Sequence, residues 1–498
     1  MHRRFLLAVL AALWLAFAAP LAAQESAGDR EVADRGGVLD LLPADAVTEH
    51  VLKRPGGDVA YVATAGTIEL RDQSGEISAK VFYTAYVSKD APIDRPVTFA
   101  FNGGPGAASA YLHLGLVGPR VLEFDARNRD GTKPALSDNS DSWLDFTDLV
   151  LIDPVGTGWS RANGKEAEAG FYGVRQDAES LAKVIALYAQ KAGRMASPKF
   201  LLGESYGGFR AAKVATALQD GQGIIVSGIV MLSPLIEGGL VFGAGDDPLG
   251  AALQLPSLAA AALERKGVFS EEAVAEAERF AMNDYLVALA GPAPIGAQAE
   301  RFYARVADLT GIEKAEVARA RGFLGDIYTK NIAGAAGKVA SPYDAAFLVD
   351  DPYPETAADR GADPILDGFT RAYGAAFPAY ARDELRFSTG LTYRLLDKDV
   401  NRRWDWGGAR SQVGATAELR ELLSVVPSFR LLVVHGYSDA LTPYGASRYV
   451  IDHLPPSLAA GRAALKVYRG GHMFYTDPDE RRKLTADARA FYAGRDKD

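Results

Sequence analysis

The chain has 498 residues, of which 48% are hydrophobic, and its formal net charge is −9. This length supports a large globular core or two domains, and the negative charge argues against nucleic-acid binding, which needs a basic surface. The chain contains no cysteine, which excludes disulfides, a thiolate nucleophile and a cysteine metal site.

The N-terminus has the pattern of a secretory signal. Basic residues at positions 2–4 precede a continuous apolar run, Phe5–Ala19, and small residues follow before Gln24. We therefore predict a cleaved signal peptide over residues 1–23, a periplasmic or secreted mature protein and no stable membrane insertion. The alternative is an uncleaved anchor, but the run is short for a span of roughly 20 residues. Export without disulfides suits a bacterial periplasm.

Strand patterns follow the polar start of the mature chain. The segments Val59–Val62, Thr67–Leu70 and Val81–Val87 alternate with turn residues and predict antiparallel strands. A buried strand, Val97–Phe101, then leads into the glycine-rich loop Asn102–Gly106.

Further apolar strands alternate with helical patterns and predict a mainly parallel sheet. The predicted strands are Asp148–Ile152, Phe200–Leu202, Gly228–Leu232 and Arg430–Val434, and the helical patterns between them include Gln176–Lys191 and Phe209–Leu218. Residues 241–414 break this alternation, because they are rich in alanine, charge and helical spacing. We predict a catalytic core of residues 24–240 and 415–498 with a helical lid, 241–414, inserted in it. The alternative for the insertion is an independent second domain.

A serine lies in the sequence Gly-Glu-Ser-Tyr-Gly, directly after the strand Phe200–Leu202. A Gly-x-Ser-x-Gly turn between a strand and a helix exposes the serine hydroxyl, and bulky residues two positions away would clash. Ser205 is therefore the predicted nucleophile.

A serine hydroxyl needs a base to take its proton and an acid to orient that base. Of the six histidines, His472 follows the predicted strand Leu465–Tyr468 and two glycines, so we assign it as the base. Asp439 follows the strand Arg430–Val434 and is the predicted third member. Asp477 comes after the histidine and is predicted to cap the last helix.

The order of serine, acid and histidine along the chain is that of an α/β-hydrolase, which is the predicted fold class. The oxyanion of the tetrahedral intermediate needs backbone N–H donors. One donor is predicted at Tyr206, the residue after the nucleophile, and the other at Gly104 in the glycine-rich loop.

Three motifs together resemble the serine carboxypeptidase family. They are Asn-Gly-Gly-Pro-Gly from Asn102, Asp-Pro-Val-Gly-Thr-Gly-Trp-Ser from Asp153, and Gly-Glu-Ser-Tyr-Gly-Gly from Gly203; Met473 after the histidine also matches. The resemblance implies an exopeptidase that removes C-terminal residues and is most active at acidic pH. It also implies that Asn102, Gly103 and Glu204 bind the substrate, with the asparagine and the glutamate at its terminal carboxylate.

The chain departs from the family pattern at two positions near this predicted site. Ala100 stands where the family usually has a tryptophan, and Leu116 stands where it often has a second glutamate. The carboxylate-binding network is therefore predicted to be incomplete. His113 lies one helical turn from Leu116 and either compensates or packs in the core.

The first interpretation is thus a serine carboxypeptidase-like hydrolase whose partner is a peptide with a free C-terminal carboxylate. An esterase or acyltransferase on the same scaffold is the second. A prolyl aminopeptidase is disfavoured because Asn102 and Glu204 suit a carboxylate better than an amine, and a catalytically inactive binding protein is disfavoured because all three members of the predicted triad are present. No metal or organic cofactor is predicted, and the sequence leaves the oligomeric state open.

Overall fold

Short apolar runs bounded by turn residues form the strands of a large central sheet. The computed structural model describes residues 37–92, 94–124, 130–332 and 337–494, so the predicted signal segment, 1–23, lies outside the described residues. The strands are β1 (Ala46–Leu52), β2 (Val59–Arg71), β3 (Ile77–Ser88), β4 (Val97–Phe101), β5 (Arg120–Leu122), β6 (Leu136–Asp138), β7 (Asp148–Ile152), β8 (Arg161–Ala162), β9 (Lys199–Glu204), β10 (Gly228–Leu232), β11 (Lys338–Ser341), β12 (Asp344–Asp350), β13 (Arg430–Gly436) and β14 (Ala463–Tyr468).

Helices fill most of the intervals between these strands. They are α1 (Ala110–Leu112), α2 (Lys165–Glu168), α3 (Val174–Lys191), α4 (Tyr206–Gln222), α5 (Gly238–Val241), α6 (Pro248–Arg265), α7 (Glu271–Phe280), α8 (Leu286–Ala290), α9 (Gly296–Thr310), α10 (Lys314–Arg319), α11 (Tyr328–Asn331), α12 (Tyr373–Asp383), α13 (Lys398–Arg402), α14 (Thr416–Val425), α15 (Tyr444–Asp452), α16 (Pro456–Ala459) and α17 (Pro478–Tyr492). Asp477 caps α17 as predicted, because its side chain accepts a hydrogen bond from the N–H of Asp479 at 2.8 Å.

The central sheet has the strand order β1-β2-β3-β7-β4-β9-β10-β13-β14, with β8 paired to β3. The pairs from β1 to β7 are antiparallel, and those from β7 to β14 are parallel. Every residue of β4, β7, β9 and β10 is buried, which explains why their sequences are largely apolar. The predicted, mainly parallel sheet is confirmed.

One prediction about the antiparallel part was wrong. The segments predicted as two strands, Val59–Val62 and Thr67–Leu70, belong to the single strand β2. The intervening small residues, 63–66, pair with β3 in an unbroken antiparallel register. Ala63 and Ala65 are fully buried there, so the absence of large β-formers in this stretch does not end the strand.

The sheet has an apolar core on each face. One core contains Leu181 and Ile185 of α3 and Val214 of α4, and the other contains Phe377 of α12 and Leu484 of α17. The carboxyl ends of the parallel strands β4, β9, β13 and β14 meet at one edge of the sheet, where α/β proteins bind their ligands.

The segment 241–414 contains helices α6 to α13 and the antiparallel hairpin β11–β12, which was not predicted. It has an apolar cluster of its own that includes Leu255, Tyr285 and Val306 and extends to Ala440 after β13. Within the described ranges, no helix combines the length and apolarity that a membrane crossing requires.

Candidate active site

Ser205 lies on the tight turn between β9 and α4. Its φ is +60°, a left-handed backbone conformation that is uncommon for a non-glycine residue. The turn is so close that a Cβ atom at Gly203 would overlap the carbonyl group of Gly207. Ser205 is half-buried, whereas its neighbours Glu204 and Tyr206 are buried, so the turn presents the serine to the space above the sheet.

The glycine-rich loop after β4 packs directly against this turn. A Cβ atom at Gly103 would lie only 2.6 Å from the backbone nitrogen of Tyr206, so only glycine allows this approach. Gly104, with a φ of +100°, follows in the loop. Tyr206 is the first residue of α4, where backbone N–H groups lack partners within the helix. The predicted oxyanion donors, at Gly104 and Tyr206, are thus on neighbouring pieces of backbone.

A buried arginine holds the loop in this position. Arg210 of α4 is 1% exposed, and its Nε atom lies 2.6 Å from Oδ2 of Asp177 in α3. Its guanidinium group also donates a hydrogen bond to the backbone carbonyl of Asn102. The ion pair therefore ties α3, α4 and the glycine-rich loop together, a function that no local sequence pattern had indicated.

Asp439 and His472 form a buried, hydrogen-bonded pair at the ends of β13 and β14. Nδ1 of His472 lies 2.9 Å from Oδ2 of Asp439. Thr442 fixes the carboxylate, because its hydroxyl donates to the same oxygen at 2.8 Å and its backbone N–H donates to Oδ1 at 3.0 Å. Burial acts to lower the pKa of His472, but the charge and hydrogen bond of Asp439, together with the charges of Glu204 and Asp363, outweigh it and raise that pKa above its usual value.

The backbone of His472 is held from two sides. Its N–H donates to the carbonyl of Tyr343, in the two-residue turn between β11 and β12, at 2.5 Å. Its carbonyl accepts a hydrogen bond from the hydroxyl of Ser233 at 2.8 Å. The Tyr343 ring also contacts the imidazole edge-on, with ring centres 5.2 Å apart. The hairpin of the 241–414 segment therefore helps to fix the imidazole.

One cavity of about 210 Å³ brings most of the predicted site residues together. It is lined by Asn102, Gly103, Gly104, Glu204, Ser205, Tyr206 and His472. Asp439 does not line the cavity but lies behind His472 through the hydrogen bond described above. The remaining wall is largely apolar and aromatic, with Leu235, Phe242 and Trp406 among its members.

Glu204, the residue before the serine, is the centre of a buried polar network. The Asn102 side-chain amide donates to its Oε2 atom, and the Tyr475 hydroxyl donates to its Oε1 atom at 2.8 Å. The Asn102 Oδ1 atom accepts from the N–H of Leu112 at 3.1 Å, which orients the amide nitrogen toward Glu204. Burial raises the pKa of Glu204 to about 7.

Tyr475 is the residue of this network that the sequence interpretation missed. Leu116 is fully buried among apolar side chains, as its type requires. His113 does not replace the missing acid, because its Nε2 atom lies 2.6 Å from the hydroxyl of Tyr86 and burial lowers its pKa to about 3. The second partner of Glu204 is Tyr475, from the turn after His472, so both carboxyl oxygens of Glu204 accept a hydrogen bond. Incomplete recognition of the substrate carboxylate stays a prediction.

A parallel sheet with a serine on a strand–helix turn and a histidine after the last strand defines an α/β-hydrolase. The predicted fold class is confirmed by a solved structure, that of Kex1(delta)p, a prohormone-processing carboxypeptidase from Saccharomyces cerevisiae. The two chains superpose with a TM-score of 0.56 over 91% of this chain and 94% of the other, at 17% sequence identity.

The sequence comparisons match part of the chain to one family within this fold. Residues 58–237 match the family model described as serine carboxypeptidase. Serine carboxypeptidase-like 41 from Arabidopsis thaliana is 28% identical over 203 residues, which are 38% of this chain and 40% of the relative. Serine carboxypeptidase-like 44 from the same plant is 28% identical over 181 residues, 35% of each chain. The resemblance to the serine carboxypeptidase family is thereby confirmed, although the chain spans well under half the length of these curated relatives.

Proposed function

We propose that the protein is an exported serine carboxypeptidase that cleaves the last residue from peptides through an acyl-enzyme intermediate. The observation that carries the proposal is the position of Glu204: a buried carboxyl group with a raised pKa lies beside Ser205 in the same cavity. A protonated carboxyl group there can donate a hydrogen bond to the terminal carboxylate of a peptide, whereas an ionised one would repel it.

The reaction uses Ser205, His472 and Asp439 as a triad. His472 takes the hydroxyl proton as Ser205 attacks the carbonyl carbon of the last peptide bond. The Asp439 carboxylate holds the imidazole by Nδ1 and stabilises its cation. His472 then gives the proton to the departing amine, and a water molecule hydrolyses the acyl-serine ester by the same route, which restores Ser205.

Backbone donors stabilise the tetrahedral intermediates in this scheme. The N–H groups of Gly104 and Tyr206 are assigned as the oxyanion hole, on the support of the close packing between the glycine-rich loop and the start of α4. Removal of one such donor typically lowers kcat by about 10²- to 10³-fold.

Asn102 and Glu204 are assigned to the terminal carboxylate of the substrate. One amide hydrogen of Asn102 is directed at Glu204, and the second is available for a ligand in the cavity. Gly103 lines the cavity between them and the serine and leaves room for the last residue of the peptide. The 241–414 segment is proposed to act as a lid, because its residues Tyr343 and Trp406 line the same cavity.

The test compares three substrates that share one N-blocked acyl residue: a dipeptide with a free C-terminus, its C-terminal amide and a nitrophenyl ester. We expect the free dipeptide to release its C-terminal amino acid, with a higher kcat/KM than its C-terminal amide shows. Ser205→Ala should abolish the hydrolysis of all three. Hydrolysis of the ester alone would contradict a carboxypeptidase and favour an esterase or acyltransferase.

A further inference from the structure

The cavity has an aromatic wall that is separate from the Glu204 network. The Trp406 ring packs edge-on against Tyr206, with ring centres 5.4 Å apart, and Phe242 lines the same wall. The aromatic wall therefore contacts the turn that carries Ser205 at Tyr206, whereas the polar network includes Glu204 of the same turn. The two residues flank Ser205 in the turn.

A single arginine is stacked on this aromatic wall. The guanidinium carbon of Arg410 lies 4.8 Å from the centre of the Trp406 ring and 5.0 Å from that of Phe242. Arg410 lines the cavity together with Ser205 and His472. Aromatic faces attract a guanidinium group and fix its plane while leaving its N–H groups free to bind a ligand.

The other arginines between residues 394 and 410 are paired with carboxylates, but Arg410 is not. Arg394, Arg402 and Arg403 each pair with a carboxylate. In the part of the chain that the structure describes, Arg410 makes its side-chain contacts with Trp406 and Phe242 and has no carboxylate at ion-pairing distance. A cation thus faces the cavity with its charge unmatched.

The backbone that carries Arg410 is fixed to the core of the site. The N–H of Gly238 donates to the carbonyl of Val413 at 2.8 Å, and the N–H of Ala415 donates to that of Ile236 at 3.0 Å. These bonds join the Arg410 segment to the chain that follows β10 and leads to Phe242. The backbone beside Arg410 is therefore held against the core, while the Arg410 side chain is exposed and stacks on the two aromatic rings.

We propose that Arg410 binds an acidic side chain on the penultimate residue of the substrate. This rests on the proposed function: if Glu204 and Asn102 hold the terminal carboxylate, the last residue lies on their side of Ser205. The penultimate residue, which forms the acyl group, then lies on the Tyr206 side, against Trp406 and Arg410. An arginine can bind a carboxylate with two parallel hydrogen bonds, so peptides with glutamate or aspartate at this position are the preferred class.

The experiment uses N-blocked dipeptides with glutamate, glutamine or leucine before the same C-terminal residue. The wild-type protein should show a kcat/KM about tenfold higher for the glutamate peptide than for the glutamine peptide. A ratio of this size corresponds to the stabilisation that hydrogen bonds between charged groups provide. Arg410→Gln should reduce the ratio to about one, with the glutamine and leucine peptides little affected. The preference should also weaken at high salt.

Arg382→Gln is the matched control, because it removes the same charge from an exposed residue that pairs with Asp383 on α12, outside the cavity. It should keep the wild-type ratio. An equal ratio in wild type and Arg410→Gln overturns the proposal. The proposal is also overturned if Arg410→Gln lowers kcat/KM equally for all three peptides with a free C-terminus but leaves that of their C-terminal amides unchanged. Arg410 would then bind the terminal carboxylate.

A parallel series with nitrophenyl esters of N-blocked glutamate, glutamine and leucine separates this proposal from the proposed function. If the protein cleaves no peptide but hydrolyses the glutamate ester preferentially, and Arg410→Gln removes that preference, the carboxypeptidase proposal fails and the Arg410 site stands. If neither series shows a preference for glutamate in the wild type, or neither is hydrolysed, the Arg410 proposal is overturned.

Discussion

At the residue scale, the proposed mechanism depends first on Ser205. Ser205→Ala should lower kcat by on the order of 10⁴-fold or more with the fold intact, because the covalent step is lost. His472→Ala should be about as damaging, and the double variant should be little worse, since the two side chains act as a unit. A fluorophosphonate probe followed by peptide mapping checks the site of labelling. Labelling at another residue, or an active Ser205→Ala variant, contradicts the assignment.

Tyr475 gives a second test at this scale. Its hydroxyl donates to Glu204 and so favours the ionised carboxylate. Tyr475→Phe should therefore raise the pKa of Glu204 further and move the alkaline fall in cleavage of free peptides to higher pH. Tyr373→Phe is the control, because the buried Tyr373 hydroxyl has no hydrogen-bond partner among the described residues. If the two variants give the same pH profile, Tyr475 does not tune Glu204.

The residues predicted as the triad share one property. Ser205, Asp439 and His472 each belong to a short motif just after an apolar strand, so local pattern and chain order were enough to single them out, and the fold brings Ser205 and His472 to one cavity with Asp439 behind the histidine. Tyr475 and Arg210 belong to no such motif. Tyr475 reaches Glu204 across 271 positions of the sequence, and Arg210 reaches Asn102 across 108, so only the folded chain brings these partners together.

At the scale of elements, the Asp177–Arg210 pair joins two helices to the glycine-rich loop. Arg210→Met leaves Asp177 buried without its partner, which should cost about 3–5 kcal/mol of unfolding free energy. Adding Asp177→Leu should recover most of that stability, because a buried pair can be replaced by apolar residues at little cost.

The same pair predicts a separation between stability and activity. Both variants lack the hydrogen bond from Arg210 to the carbonyl of Asn102. We therefore expect kcat/KM to stay low in the double variant even though its stability is recovered. Urea unfolding and steady-state kinetics on the same samples measure both quantities. Recovery of activity along with stability would show that the contact with Asn102 does not position the loop.

The elements themselves were predicted unevenly for physical reasons. Buried parallel strands such as β4 and β9 are largely apolar and stand out in the sequence. The strand β2 was predicted as two strands because small residues occupy its middle. In the structure, pairing of these residues with β3 keeps the strand continuous. The hairpin β11–β12 lies within a segment dominated by helical spacing, and its significance comes from Tyr343, whose contact with His472 is made across the fold.

At the scale of the whole molecule, the chain is proposed to act outside the cytoplasm. If residues 1–23 are a cleaved signal, the mature protein begins near Gln24 and is recovered from the periplasm or the medium. N-terminal sequencing of the natively expressed protein checks this. An intact Met1 in a membrane fraction would show that the segment is an anchor.

In the proposed function, a protonated Glu204 recognises the free C-terminus of the substrate, and the pH dependence of cleavage checks this. kcat/KM should be followed against pH for an N-blocked dipeptide and for its C-terminal amide, with wild type and Glu204→Gln. Since burial raises the pKa of Glu204 to about 7, the protonated form is present below that pH and lost above it. Both substrates should lose activity at acidic pH, where His472 is protonated and cannot act as the base.

Cleavage of the free peptide should fall as pH rises through about 7, while hydrolysis of the amide persists. Glu204→Gln should remove this alkaline fall, because an amide N–H donates at any pH. Identical pH profiles for the free peptide and the amide in the wild-type protein would contradict the account.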